Sequence, residues 1–120
     1  MTKIVAIVYR KKGMSRKQFH SYWVEKHGPL FVRTVPGILH YTQNVPVEWP
    51  GLEDDVDGVS EMWFEDIDDV HDYLEWRETA AAQVLRRDED TFQDTGRTRR
   101  YIVEEHVFKQ PQTTATNLPG

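Results

Sequence analysis

Few side chains in this 120-residue chain can move a proton near neutral pH, and His27 is the best placed of them. Imidazole titrates close to physiological pH and serves as general acid, general base or hydrogen-bond donor. His27 falls at the exit of an amphipathic stretch, on its apolar side. The competing reading is a cation that closes a helix C-terminus against the dipole. Tyr41 opens a strand pattern further on, and its phenol can donate to a carbonyl or enolate oxygen, as oxyanion stabilisers do. Read structurally, it is an aromatic core residue with its hydroxyl at the rim. Glu61 sits among apolar neighbours in VSEMWF. Desolvated and unpaired, its carboxyl would titrate high and act as a base; the alternative is a salt bridge to Arg33 or Arg100. Trp63 shares the face of Glu61 by period two, and Trp23 lies one helical turn before His27. Both are candidates for substrate contact as well as for core packing. His106, in the run EEHV, is a further candidate, since Glu104, Glu105 and His106 put polar groups on both faces of the last strand. A one-residue change in strand parity decides which face lines a cavity.

The five histidines do not form a metal-ligand pattern. His20 and His27 are separated by about 10 Å of helix axis. No His-x-x-x-His spacing occurs, and His40, His71 and His106 would have to converge by folding. With no cysteine in the chain, thiolate ligands, thiolate nucleophiles and disulfides are all excluded. The acidic run Glu53 to Asp57 lacks the alternating ligands of a calcium loop and reads as solvated surface. Neither a metal nor haem is expected.

The elements that must hold these residues are legible in outline. Lys3 to Tyr9 is rich in β-branched residues and apolar on both faces, which predicts a central strand covered on both sides. Ser15 with Gln18 forms a capping box, with Met14 and Phe19 placed as a hydrophobic staple. Phe19, Tyr22, Trp23, His27 and Leu30 then recur at helical spacing. Gly28-Pro29 is expected to interrupt this helix, because a residue before proline is pushed out of the α region. A short turn through Val32 follows, and Pro36-Gly37 ends it. Ile38 to Val47 and Val59 to Phe64 read as strands, with an acidic surface loop from Trp49 to Asp57 between them. Asp66 caps a second helix through Ile67, Val70, Tyr73 or Leu74, and Arg77. Thr79 to Asp90 continues it with Ala81, Val84 and Leu85 on one side, after a break within Glu78 to Ala82. Arg99 to Phe108 is the last strand.

The order βαββαβ predicts an α+β, ferredoxin-like fold, a four-stranded antiparallel sheet with both helices on one face. Its opposite face has no cover within the chain, yet strand three is apolar on both sides. That predicts a homodimer in which a second subunit covers the open face. Residues 1–108 make one domain, and 109–120 a flexible tail or an arm laid on a partner.

Composition narrows the function classes. A net charge of −5, with only two short basic clusters, Arg10-Lys11-Lys12 and Arg97 to Arg100, excludes nucleic acid as the expected partner. No 18-residue apolar run and no apolar leader segment occur, so neither membrane spanning nor secretion is expected, and a cytoplasmic location is the default. Four Trp, five Tyr and five Phe exceed the needs of a small core and suit a flat apolar ligand or a subunit interface.

Five motifs in order carry a family resemblance. Phe19 to Leu30 reads FHxYWxxxHGPL, Pro36 to Asn44 reads PGIxxYxQN, and Gly58 to Phe64 reads GVSEMWF. Asp88 to Asp94 reads DExxFxD, and Val103 to Val107 reads VEEHV. Together they resemble the EthD family over about residues 3–108. The resemblance implies a dimeric α/β barrel of two ferredoxin-like sheets, a cavity between helix and sheet, and chemistry without metal or organic cofactor. It places His27 and Tyr41 in the substrate pocket. The expected activity is proton transfer next to a carbonyl in a small oxygenated aromatic or polyketide-like molecule, of lyase, decarboxylase, cyclase or isomerase type. A cofactor-free oxygenase and a non-catalytic small-molecule-binding accessory protein are the alternatives.

Overall fold

The computed structural model describes residues 1–111. Four strands, β1 (Thr2–Val8), β2 (His40–Asn44), β3 (Gly58–Phe64) and β4 (Arg99–Val103), form one antiparallel sheet in the order β2-β3-β1-β4. All helices pack on one face of it, so the fold is α+β and ferredoxin-like, as the element order predicts. Ile4, Ala6 and Val8 of β1 and Ser60, Met62 and Phe64 of β3 point into that layer and are buried. Their alternates, Val5, Ile7, Val59 and Trp63, point the other way and are half-buried. The double cover expected for β1 is therefore present on one side within the chain. Strands β2 and β4 are shorter than their apolar patterns suggest. Ile38, Val45 to Val47 and Glu104 to Phe108 lie outside the ladder. Most of the expected C-terminal tail, residues 112–120, lies outside the described residues.

The first helical layer departs from expectation in an informative way. Ser15 caps α1 (Arg16–Tyr22) with the full capping box: Gln18 N–H donates to Ser15 Oγ at 3.0 Å, and Ser15 N–H donates to Gln18 Oε1 at 2.8 Å. The helix does not break at Gly28-Pro29. It passes through a π-helical turn, Trp23–His27, and continues as α2 (Gly28–Thr34). Two local facts allow this. Gly28 has no Cβ to clash with the proline ring and stays helical at φ −54°, ψ −53°. The wider turn also re-registers the backbone: Gly28 N–H bonds the carbonyl of Trp23 five residues back, just before a residue that has no N–H to give.

The π turn also aligns the buried side chains. Phe19, Trp23, His27, Phe31 and Val35 recur every fourth residue, and all are at most 5% exposed. At 3.6 residues per turn such a stripe drifts by about 40° per step, or about 160° over its length. The wider turn gives part of that drift back, so His27 faces the sheet as Trp23 and Phe31 do.

In the second layer Asp66 caps α3 (Ile67–Trp76), accepting Asp69 N–H at 3.0 Å. Val70 and Tyr73 are its buried positions, while Ile67 is exposed. A 3₁₀ turn, Ala80–Ala82, falls inside the expected break and leads into α4 (Gln83–Phe92). That turn shifts the helical phase. Ala82, Leu85, Glu89 and Phe92 point inward, and of the expected set Ala81, Val84 and Leu85 only Leu85 does. No helix among the described residues is long and apolar enough to cross a membrane.

Candidate active site

The π turn brings His27 beneath α4. Its Nδ1 lies 2.8 Å from Asp88 Oδ2, and the other carboxylate oxygen of Asp88 accepts the Tyr22 hydroxyl at 2.5 Å. Burial pushes the Asp88 carboxyl up, but the His27 and Tyr22 hydrogen bonds outweigh it and hold the group below its ordinary range. An ionised acceptor at Nδ1 assigns the proton to that nitrogen in neutral imidazole and leaves Nε2 with its lone pair. Among the described residues Nε2 has no protein partner. The ring is 3% exposed and packs on Phe92 and Phe31, with centroids 5.0 and 5.8 Å away. The bond from Tyr22 to Asp88 in turn raises the Tyr22 phenol above its usual value.

Tyr41 reaches the same space from β2. Its ring stacks on Phe31 at 4.5 Å. Burial raises its phenol well above the usual tyrosine range, so near neutral pH it is a donor and not a base. Gln43 spends both amide hydrogens here, one on the Trp23 carbonyl at 2.9 Å and one on the Tyr41 oxygen at 3.1 Å. The bond that braces the π turn thus also fixes Tyr41 and leaves its O–H free to donate. Gly28 permits this approach, since a Cβ there would lie 3.2 Å from the Gln43 nitrogen.

His27 and Tyr41 line one small cavity between helices and sheet, about 20 Å³ in volume, room for roughly one water. Trp23, Phe31 and Tyr73 give it an aromatic wall, and Ser60 and Met62 its floor. Glu89, also buried in the lining, is neutralised by Arg77, which donates to its oxygens at 2.5 and 3.2 Å. Larger grooves are open to solvent: one of about 590 Å³, lined by Val24, Gly28, Pro29, Val32, Tyr41 and Gln43, reaches Tyr41 but not His27, and two others lie elsewhere. One of about 650 Å³ runs along α1 between Lys12 and Lys26, and one of about 720 Å³ sits under the loop from Pro46 to Val56. Neither includes His27 or Tyr41.

Three further residues named from sequence are not brought to His27. Glu61 and Trp63 lie on the opposite face of the sheet. There Lys3 is the partner of Glu61, at 3.0 Å, in place of Arg33 or Arg100, because β1 and β3 are neighbours and Lys3 stands opposite Trp63 in register. Lys3 also holds Glu105 at 2.6 Å and lies 5.0 Å from the centre of the Trp63 ring. Hydrogen bonds from Lys3 above all, and from Asn44 and Thr42, hold the Glu61 carboxyl below its ordinary range, the reverse of a raised base. His106 is exposed and lies 3.1 Å from Glu104. Trp23 does line the cavity, and its ring covers Gly58, where an added Cβ would fall 2.5 Å from the indole.

Sequence reasoning missed Asp88, Tyr22 and Gln43 as parts of this arrangement. Asp88 is separated from His27 by 61 positions, in a highly charged helix where one acid looks like the next. Its one signal was membership of the DExxFxD motif. Among the described residues, His71, Asp72 and Glu75 could jointly approach a metal ion, and all three are exposed on α3, outside the cavity.

The EthD domain model matches residues 11–96, which include the histidine, its helix and the aspartate that orients it. The chain belongs to the EthD family. No curated protein sequence matches it. Solved structures show the same fold at low identity. An ethyl tert-butyl ether degradation (EthD) family protein from Bacillus halodurans is 20% identical with a TM-score of 0.66, covering 88% of this chain and 100% of its own. A dimeric protein of unknown function and ferredoxin-like fold from Bacteroides fragilis is 10% identical with a TM-score of 0.55, covering 85% and 91%. SnoaB, a cofactor-independent oxygenase from Streptomyces nogalater, is 15% identical with a TM-score of 0.55, covering 99% and 97%.

Proposed function

We propose that this EthD-family chain is a cofactor-independent enzyme that moves a proton at carbon next to a carbonyl in a small oxygenated aromatic or polyketide-like molecule. The observation that carries the reading is an imidazole with Nδ1 committed to Asp88 and Nε2 unengaged, facing the same cavity as a phenol held neutral by burial. His27 Nε2 takes the α-proton while the Tyr41 O–H donates to the oxygen that becomes an enolate. Asp88 stabilises the imidazolium that forms. Return of the proton to another carbon isomerises the substrate; expulsion of a group from the neighbouring carbon makes the reaction a lyase step, and attack of the enolate carbon on a second carbonyl of the same molecule, whose oxygen takes up the proton, makes it a cyclisation. A cavity of this size takes a substrate only by parting the aromatic wall, which favours a flat molecule.

A homodimer belongs to the same reading. Val5, Ile7, Val59 and Trp63 form a half-buried apolar stripe on the open face, suited to cover by a second copy. The likeness to a dimeric structure supports it.

Deuterium uptake from D₂O at the α-carbon of a panel of aryl ketones and unsaturated lactones, followed by NMR, tests the chemistry. His27→Ala should slow exchange by about 10²–10⁴-fold; an unchanged rate with an intact circular dichroism spectrum would sink the proposal. Structural likeness to SnoaB favours a second reading, in which the substrate carbanion so formed reacts with O₂. Turnover that stops under anaerobic conditions would select it. Binding without turnover, indifferent to His27, would leave an accessory binding protein.

A further inference from the structure

The end of the cavity away from Tyr41 is polar, and its polarity has one sign. Arg100 on β4 stands opposite Ala6 in register, and because Ala6 faces the helices, Arg100 does too. It lines the cavity while remaining exposed at its rim. Most arginines of this chain are committed. Arg10 and Arg16 bind Asp57, Arg77 binds Glu89, Arg97 binds Asp55, and Arg86 donates to the carbonyls of Arg77 and Thr79. Among the described residues the Arg100 side chain makes no hydrogen bond and no ion pair. Arg33, Arg87 and Arg99 are equally uncommitted, but none of them lines the cavity.

Its neighbours add donors and no free anion. Gln93 is buried, and its amide oxygen is taken by the Thr98 hydroxyl at 3.2 Å, which leaves its NH₂ without a protein partner. Glu89 is the one carboxylate in the lining, and Arg77 holds both its oxygens. A guanidinium with an amide NH₂, and no unpaired acid in the lining, is a receptor for an anionic oxygen pair.

We infer that the substrate carries a carboxylate, which Arg100 engages at the cavity rim so that the reacting carbon lies between His27 and Tyr41. Arg100 is then a specificity-determining residue, selecting acids over neutral esters of the same shape. The inference rests on the cavity being the substrate site, as proposed above.

Ligand-observed ¹⁹F NMR with 4-fluorobenzoate and its neutral methyl ester, run alongside the His27 imidazole signals, tests it at equilibrium and without turnover. The wild-type chain should bind the acid about tenfold tighter than the ester, and both should shift the His27 signals. Arg100→Gln should remove the preference by weakening the acid alone. Arg99→Gln, the adjacent charge on the opposite sheet face, should leave it intact. Equal binding of acid and ester by the wild type, equal weakening of both by Arg100→Gln, or an Arg99→Gln effect as large as that of Arg100→Gln would each overturn the inference. Binding that leaves His27 unmoved, or no binding of either, would overturn the cavity as substrate site and this assignment with it. An acid preference that depends on Arg100, alongside exchange that ignores His27, would uphold the inference while the proton-transfer proposal fails.

Discussion

The two faces of the sheet handle buried polarity in opposite ways. On the open face Lys3 is the hub: it holds Glu61 and Glu105 and lies against Trp63, so each charge answers another. Thr42 and Asn44 take the remaining Glu61 oxygen. On the helix-covered face the bonds stop one atom short of closure. Asp88 fixes Nδ1 of His27 and Gln43 fixes the Tyr41 oxygen, but Nε2, the Tyr41 proton and the Arg100 guanidinium remain unspent. A closed network stabilises and orients; an open one positioned by closed neighbours has capacity left for a substrate. That difference distinguishes the candidate catalytic face from the candidate interface, although both contain aromatic and ionisable residues.

Kinetics offer the strongest way to break this comparison. The loss of about 10²–10⁴-fold expected for His27→Ala should have no counterpart in Glu61→Gln, whose exchange rate should equal that of the wild type. A similar loss in both would mean that the open face takes part in the chemistry. Stability comes next. Trp23→Ala should cost about 3–5 kcal/mol in urea unfolding, because the ring is 1% exposed and covers Gly58. Trp63→Ala should cost less, and its cost should rise with protein concentration if a second copy covers the ring.

Asp88→Asn removes the anion that sets the tautomer of His27. Exchange should fall by more than tenfold while the far-UV spectrum is retained, because the imidazole loses the acceptor that fixes its Nδ1 proton. A rate that does not fall would assign Asp88 to structure alone. Gly58→Ala should cost about 1–3 kcal/mol, because a Cβ at 2.5 Å forces a large, packed indole to move. The smallest effect is in acid. Asp88 has a folded-state pKa below its ordinary value, so its contribution is full well above pH 4 and is lost as pH falls through the folded value. The stability gap between wild type and Asp88→Asn should hold from pH 7 to about 5 and narrow below about 4. Glu61, also lowered, should give Glu61→Gln the same narrowing; a gap that widened in acid for either would reverse the sign assigned here.

Local signals in the sequence were legible because they depend on neighbours. The capping box at Ser15 and Gln18, the Asp66 cap and the order of strands and helices all appear as read. Proline misled. The rule that ends a helix at Gly28-Pro29 holds for an α-helix around a residue with a Cβ, whereas here a glycine and a π turn carry the chain through. Phase misled as well: the 3₁₀ turn at Ala80–Ala82 buries its own Ala82, leaves Val84 exposed, and puts Leu85, Glu89 and Phe92 on the inner side of α4.

By itself the sequence determined the family, the βαββαβ order and the placing of His27 and Tyr41 on consecutive elements, since motif order and period are properties of neighbouring residues. Tertiary structure decided everything that depends on which face is which. Period two shows that Glu61 and Trp63 share a side, yet only packing of the helices on Ile4, Ala6 and Met62 puts that side away from His27. The same packing set Asp88 against His27 across 61 positions and brought Arg100 to the cavity. Such pairings follow from strand register and helix phase, and a shift of one residue in either would have reversed them.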